Sequence, residues 1–196
     1  MTDELTVIAG NYNENGYYFP IDAMSVEQAL VYRSQFEAAE REYKDKDPDF
    51  DALVFGHANM VMPFIDEITR LSSVLDPVRA ILGTDVMVWG ANLFIKEAHS
   101  PNYVSWHQDL TYWGLDDEDE VTAWVALSPA TVRSGCMRYV PGTHTREIVP
   151  HRDTFAEDNQ LSRGQEVAVD VNEAEAVDVV LAPGQIALHH LSLIHI

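Results

Sequence analysis

Cysteine, basic residues and long apolar runs are what this 196-residue sequence has least of. Its single cysteine, Cys136, excludes an internal disulfide framework and fits a reducing compartment. Only 12 Lys and Arg stand against 32 Asp and Glu, for a formal net charge of −20. Such an excess disfavours nucleic-acid backbones and anionic membranes as partners. It reads as an acidic, solvated surface and says little about the charge inside an active site. No apolar run approaches the length of a membrane span. Residues 1–5, Met-Thr-Asp-Glu-Leu, carry no basic region and no apolar stretch, so a signal peptide is not expected and a cytoplasmic location is. Repeats and low-complexity segments are lacking. The length suits one domain, residues 1–196, with a sizeable core.

What is present divides near Gly83. Residues 1–83 read mainly helical. Ser25-Val26-Glu27-Gln28 has the pattern of a helix start, and Ala29, Tyr32, Phe36, Ala39 and Tyr43 then recur at helical spacing, fading before Pro48. A second helix is expected over residues 62–71, with Phe64, Ile65, Ile68 and Leu71 as its apolar face. A third, over 78–82, is opened by Pro77 and ended by Gly83. Residues 84–196 read as strands: 86–89, 93–95, 103–107, 121–127, 136–140, 177–181 and 186–190. An acidic turn, residues 116–120, a loop or lid over 144–172, and the turns Pro141-Gly142 and Pro183-Gly184 separate them. Helices first and short strands afterwards predict an α+β domain with a β-sandwich or jelly-roll core.

His107 and Asp109, in Trp106-His107-Gln108-Asp109, are the strongest chemical signal. Two residues apart on an extended strand, they would point to one side. A non-haem Fe(II) oxygenase needs two imidazoles and one carboxylate on one face of the ion. His195 is the candidate for the second imidazole, with His189 and His190 as strand residues able to orient the ligands. A satisfied, half-buried histidine is the plainer reading of His189. His144 reads as a turn histidine bonded to backbone, while His57, His99 and His151 have no persuasive partner spacing. Met60 and Met62 read as core filling and Cys136 as a small buried apolar residue.

From residue 93 onward the sequence resembles the phytanoyl-CoA dioxygenase family of Fe(II)/2-oxoglutarate oxygenases. The resemblance rests on Phe94-Ile95-Lys96, His107-Gln108-Asp109, Thr122-Ala123-Trp124, Ser134-Gly135-Cys136-Met137, Pro141-Gly142-Thr143-His144, and Pro183-Gly184-Gln185 with His189, His190 and His195, in that order. It implies a cupin-like double-stranded β-helix with helices packed on it. It also implies Fe(II) held by His107, Asp109 and His195, and 2-oxoglutarate as cosubstrate near Trp124, Asn92 and Lys96. Lys96 could neutralise a carboxylate, but reads rather as a lysine snorkelling at a strand end. The reaction implied is hydroxylation of a small-molecule or acyl-CoA C–H bond by O₂, releasing succinate and CO₂. The carboxylate of Asp109 favours hydroxylation over halogenation. Few clustered basic residues are available to grip a CoA phosphate. A metal-binding cupin-like domain without 2-oxoglutarate chemistry is the alternative. Oligomeric state is not readable.

The resemblance further implies a strand after the distal histidine, bearing an arginine for the far carboxylate of 2-oxoglutarate. Ile196 stands where a small residue is expected and no arginine follows. The expectation is therefore a C-terminally truncated form, its last strands missing, that is weakly active or inactive. A second reading makes residues 191–196 a foreign junction and the match of His195 a coincidence of spacing.

Overall fold

The computed structural model describes residues 3–115 and 119–196. Most of the acidic turn at 116–120 lies outside them. The elements run α1 (Asp3–Asn15), β1 (Tyr17–Asp22), α2 (Val26–Tyr43), α3 (Phe50–Gly56), α4 (Ala58–Val61), α5 (Pro63–Thr69), α6 (Ser72–Leu82) and α7 (Leu110–Trp113). There follow β2 (Val121–Val125), β3 (Arg138–Tyr139), β4 (His151–Asp153), β5 (Gln165–Val167), β6 (Val177–Asp178) and β7 (Gln185–His190).

Local chemistry accounts for the helices. The Ser25 hydroxyl accepts the Gln28 amide at 3.2 Å and starts α2. Ala29, Tyr32 and Phe36 form its buried face. Arg33–Glu37 and Lys44–Glu40 pair one turn apart on the outside, at 2.7 and 3.0 Å. Pro63 opens α5, and Phe64, Ile65 and Ile68 are its buried residues. The helix expected at 78–82 begins earlier, at Ser72, and carries Pro77 in its interior.

The central sheet has the order β1-β7-β2, antiparallel throughout. Its two faces do different work because strand side chains alternate. Ile21, Ile186 and Leu188 pack against Ile8 and Tyr12 of α1 and Val74 of α6. Ala187 on the opposite face joins Tyr139, Val179, Leu181 and Leu193. Each fully buried Leu or Ile contributes about 1.5–3 kcal/mol to holding the sheet between these layers. A third cluster joins α2–α5 through Tyr32, Phe36, Phe50, Val54, Phe64 and Ile65.

Four expectations are corrected. First, β1 lies inside the segment read as helical and pairs Tyr17 with His189 and Ile21 with Ile186. A six-residue strand leaves a weak periodic signal next to two long helices. Second, residues 86–89 and 93–95 form no strand. The Leu93 amide donates to Val54 O at 3.1 Å and Ala91 O accepts the Ala58 amide at 3.0 Å, so their backbone is used by helix ends rather than a ladder. Third, residues 103–107 carry only isolated bridges, at Tyr103 and His107. Fourth, the segment 144–172 is no free lid. It holds the hairpin β4–β5, and its Val167 amide donates to Trp106 O at 2.8 Å. Its polar composition hid a hairpin tied to the His107 segment.

The Pro183-Gly184 turn feeds β7. Gly184 has φ +90°, and a Cβ there would collide with the Met24 carbonyl, which is backbone and has little room to yield. Its own carbonyl accepts the Ala23 and Met24 amides at 3.0 and 3.1 Å, locking β1 to β7. Gly184→Ala is therefore expected to destabilise the fold by about 2–4 kcal/mol, the range for strain plus local displacement. Urea unfolding measures this; a change under about 0.5 kcal/mol would contradict it.

Candidate metal centre

His107, Asp109 and His195 come together, each offering an atom within 4.8 Å of the others'. His107 and His195 form an antiparallel bridge, exchanging amide hydrogen bonds of 2.9 and 3.0 Å. The strand expected at His107 does not reach Asp109, whose φ −61° and ψ −40° are helical. The chain turns there into α7, and the Tyr112 amide donates to Asp109 O at 2.9 Å. A break from bridge to helix, not strand alternation, brings the carboxylate to the imidazole.

Distances converge on Asp109. His107 Nε2 lies 3.3 Å from Oδ1, while His189 and His195 Nε2 lie 3.7 and 3.9 Å from Oδ2. All three rings are buried. Tautomers, assigned from the partners, separate their roles. The Nδ1 atoms of His107 and His195 stand 2.9 Å from the carbonyls of Ser105 and Leu193. A carbonyl only accepts, so Nδ1 carries the proton and Nε2 presents a lone pair. His189 differs. Its Nδ1 is 2.9 Å from the hydroxyl of Tyr139. That phenol is kept protonated by burial and by the nearby Asp109 charge. Imidazole nitrogen is a better acceptor than the Met137 sulfur at 3.7 Å, so the phenol donates to Nδ1 and His189 Nε2–H points at Asp109. Two imidazoles offer lone pairs; the third offers a proton.

Electrostatics match that assignment. Burial raises the pKa of Asp109, but the facing His195, His107 and His189 imidazoles outweigh it and hold the carboxyl well below the usual range. Burial, with His107 close by, pushes His195 down to about 3, so it is neutral. A divalent metal requires its carboxylate ligands ionised and its imidazole ligands neutral, and Asp109 and His195 meet that requirement. The group fits Fe(II) in composition and in the direction of its lone pairs.

The three other predicted residues have these surroundings. Trp124, on β2, is half-buried and its ring lies 5.7 Å from that of Phe94. Lys96 donates from Nζ to Gly135 O at 2.8 Å. Asn92 is exposed in the irregular stretch pinned to α3 and α4. Among the described residues no hydrogen bond or ion pair joins Lys96 or Asn92 to the three ligands. His144 does bond backbone, its Nε2 being 3.1 Å from Asn13 O.

Sequence reasoning gave no role to Tyr139 or Tyr112 and set His151 aside. The Tyr112 hydroxyl is buried with no hydrogen-bond partner, one helical turn from Asp109. Burial and the Asp153 carboxylate push the phenol up to about 12, so it is a donor at neutral pH. Only the spacing Asp109-x-x-Tyr112 could have pointed to it.

Comparison with known proteins decides the family. The family model described as phytanoyl-CoA dioxygenase (PhyH) matches residues 12–196. The chain belongs to the phytanoyl-CoA dioxygenase family. Among curated relatives of this PhyH-family chain, it is 26% identical over 134 residues to a probable alpha-ketoglutarate-dependent hypophosphite dioxygenase of Stutzerimonas stutzeri, covering 67% of this chain and 46% of that protein. It is 30% identical over 132 residues to the peroxisomal phytanoyl-CoA dioxygenase of Homo sapiens, covering 64% and 38%. The chain thus spans less than half the length of these two relatives. Among solved structures, the non-heme monooxygenase ThoJ in its apo form superposes with a TM-score of 0.86 at 34% identity, covering 96% of this chain and 69% of that one. The fold is that of the Fe(II)/2-oxoglutarate oxygenases, a cupin-like jelly roll with helices. Iron and 2-oxoglutarate are the metal and cosubstrate of this class.

Proposed function

We propose that this chain is an Fe(II)/2-oxoglutarate-dependent dioxygenase that hydroxylates a C–H bond of a small molecule, with release of succinate and CO₂. One observation carries the reading: two buried imidazoles and a carboxylate offer ligand atoms that converge within 4.8 Å. His107, Asp109 and His195 would hold Fe(II), which supplies O₂ activation coupled to decarboxylation of 2-oxoglutarate.

The chain's own groups do the rest. The Ser105 and Leu193 carbonyls fix the two ligating rings. His189, oriented by Tyr139, holds the carboxylate from its other side. Trp124 flanks the cosubstrate in this reading, with Asn92 and Lys96 nearby. Lys96 would exchange its bond to Gly135 O for a carboxylate. The unpaired Tyr112 hydroxyl is a free donor on the Asp109 side, suited to an oxygen of the substrate.

Titration with Fe(II) under argon, then with 2-oxoglutarate, tests the proposal. One metal ion per chain is expected. Tryptophan fluorescence should fall with 2-oxoglutarate only after metal is bound, and succinate should form once air is admitted. Stoichiometric metal with no response to 2-oxoglutarate would favour the cupin-like alternative. No metal uptake would defeat both.

A further inference from the structure

We propose that His151 is a positioning residue for the metal ligands, acting through the backbone amide of Gln108; the inference rests on the metal reading above. Gln108 stands between the two ligands, and its amide donates to His151 Nε2 at 3.2 Å. His151 Nδ1 in turn lies 2.8 Å from Val149 O. The Gln108 side chain closes the loop, its Oε1 accepting the Val149 amide at 3.0 Å. Two hydrogen bonds thus clasp Gln108 to residues 149–151, and a third, inside that segment, holds the imidazole in place.

The partners specify the imidazole completely. An amide only donates, so Nε2 must be bare; a carbonyl only accepts, so Nδ1 must carry the proton. The Tyr112 ring packs against the imidazole in a T-shaped contact, 5.7 Å away at 86°. The hairpin anchors the loop from behind, with the Ala168 amide donating to Pro150 O at 2.7 Å. On its far side Gln108 donates from Nε2 to Ser192 O at 2.6 Å.

This point of the backbone matters because the chain changes there from a bridge at His107 to helical dihedrals at Asp109. Neither regular element supplies the Gln108 amide with a partner. Gln108 is fully buried, so water is a poor substitute, and without the imidazole the amide is left unpaired. The His107–Asp109 geometry then loosens.

His151→Gln and His151→Asn separate this role from simple packing. Glutamine places its carboxamide oxygen near the Nε2 position and keeps the acceptor; asparagine reaches only the Nδ1 position. H151N is expected to weaken Co(II) binding by about 10–100-fold and alter the Co(II) visible spectrum, while H151Q stays within about threefold of wild type. In metal-free protein the Gln108 amide should exchange slowly in wild type and H151Q and fast in H151N. Equal Co(II) affinity in H151N and wild type, or loss equal in both variants, would overturn the proposal. Should H151N fail to fold, nitrogen NMR of wild-type His151 decides: protonated Nδ1 is expected, and protonated Nε2 refutes the clasp. If wild type binds no Co(II), the metal reading fails, and the exchange and tautomer measurements still judge the clasp by themselves.

Discussion

Asp109→Ala is expected to abolish stoichiometric Fe(II) or Co(II) binding, lowering affinity by at least about 100-fold, the upper end of what loss of an outer hydrogen-bond partner costs. The substitution removes one ligand and the only negative charge of the three-residue group. The imidazole of His195 stays neutral in the variant because burial is the largest cause of its shift. The metal-free fold therefore survives, and circular dichroism should show it. His195→Ala belongs with Asp109→Ala, since it removes a lone pair aimed at the ion. His189→Gln should fall between wild type and those two, because that ring gives a proton to the carboxylate rather than a lone pair to metal. The Asp109 carboxyl is depressed in the folded state, so it adds stability above the ordinary carboxylate range and loses it as pH falls through its lowered value. D109A should lack that part of the acid sensitivity. Calorimetric titration with Co(II) is the measurement; wild-type affinity in D109A would sink the assignment, and a ranking of H189Q below H195A would exchange their roles.

The same three residues show what the sequence could and could not reveal. His107 and Asp109 are adjacent enough for a motif to announce them. His195 was legible only by its spacing from His189 and His190, and by the resemblance. The helices were legible because Tyr32 and Phe36, or Phe64 and Ile68, recur with a period no other structure uses. Apolar runs at 86–89 and 93–95 carried no such distinction. Leu93 and Ile95 pack on the helical cluster without a ladder, and propensity cannot tell that from a strand. His151 was silent because its partner is a backbone amide 43 positions away. Backbone amides leave no trace in side-chain spacing. Tyr139 and His189 were silent as a pair for a different reason: one side-chain hydrogen bond across 50 positions gives the ring its tautomer, and no local spacing announces it.

Glu120→Gln is expected to stabilise the metal-free protein, and to do so more as pH rises. Glu120 precedes β2, with one carboxylate oxygen buried and unpartnered. Burial, then repulsion from Asp109, pushes its carboxyl up to about 8. The Tyr12 phenol, also buried and unpartnered, faces it and is raised by burial and by the Glu120 charge. In the unfolded chain Glu120 ionises at the ordinary glutamate value of 4.5. Between pH 4.5 and about 8 the folded state therefore holds a proton that the unfolded state has lost. Stability from this group is full below the lower value and gone above the higher one. Glutamine keeps the shape and cannot ionise, so E120Q should match wild type near pH 4.5. Above pH 8 it should exceed wild type by about 1.5–3 kcal/mol, after allowing for partial exposure. A divalent ion on Asp109 neutralises the second cause, so the gain should shrink once metal is bound. Urea unfolding of both proteins across that pH range measures the difference; a gap that does not widen with pH, or one of opposite sign, would show that Glu120 is ionised and solvated in the fold.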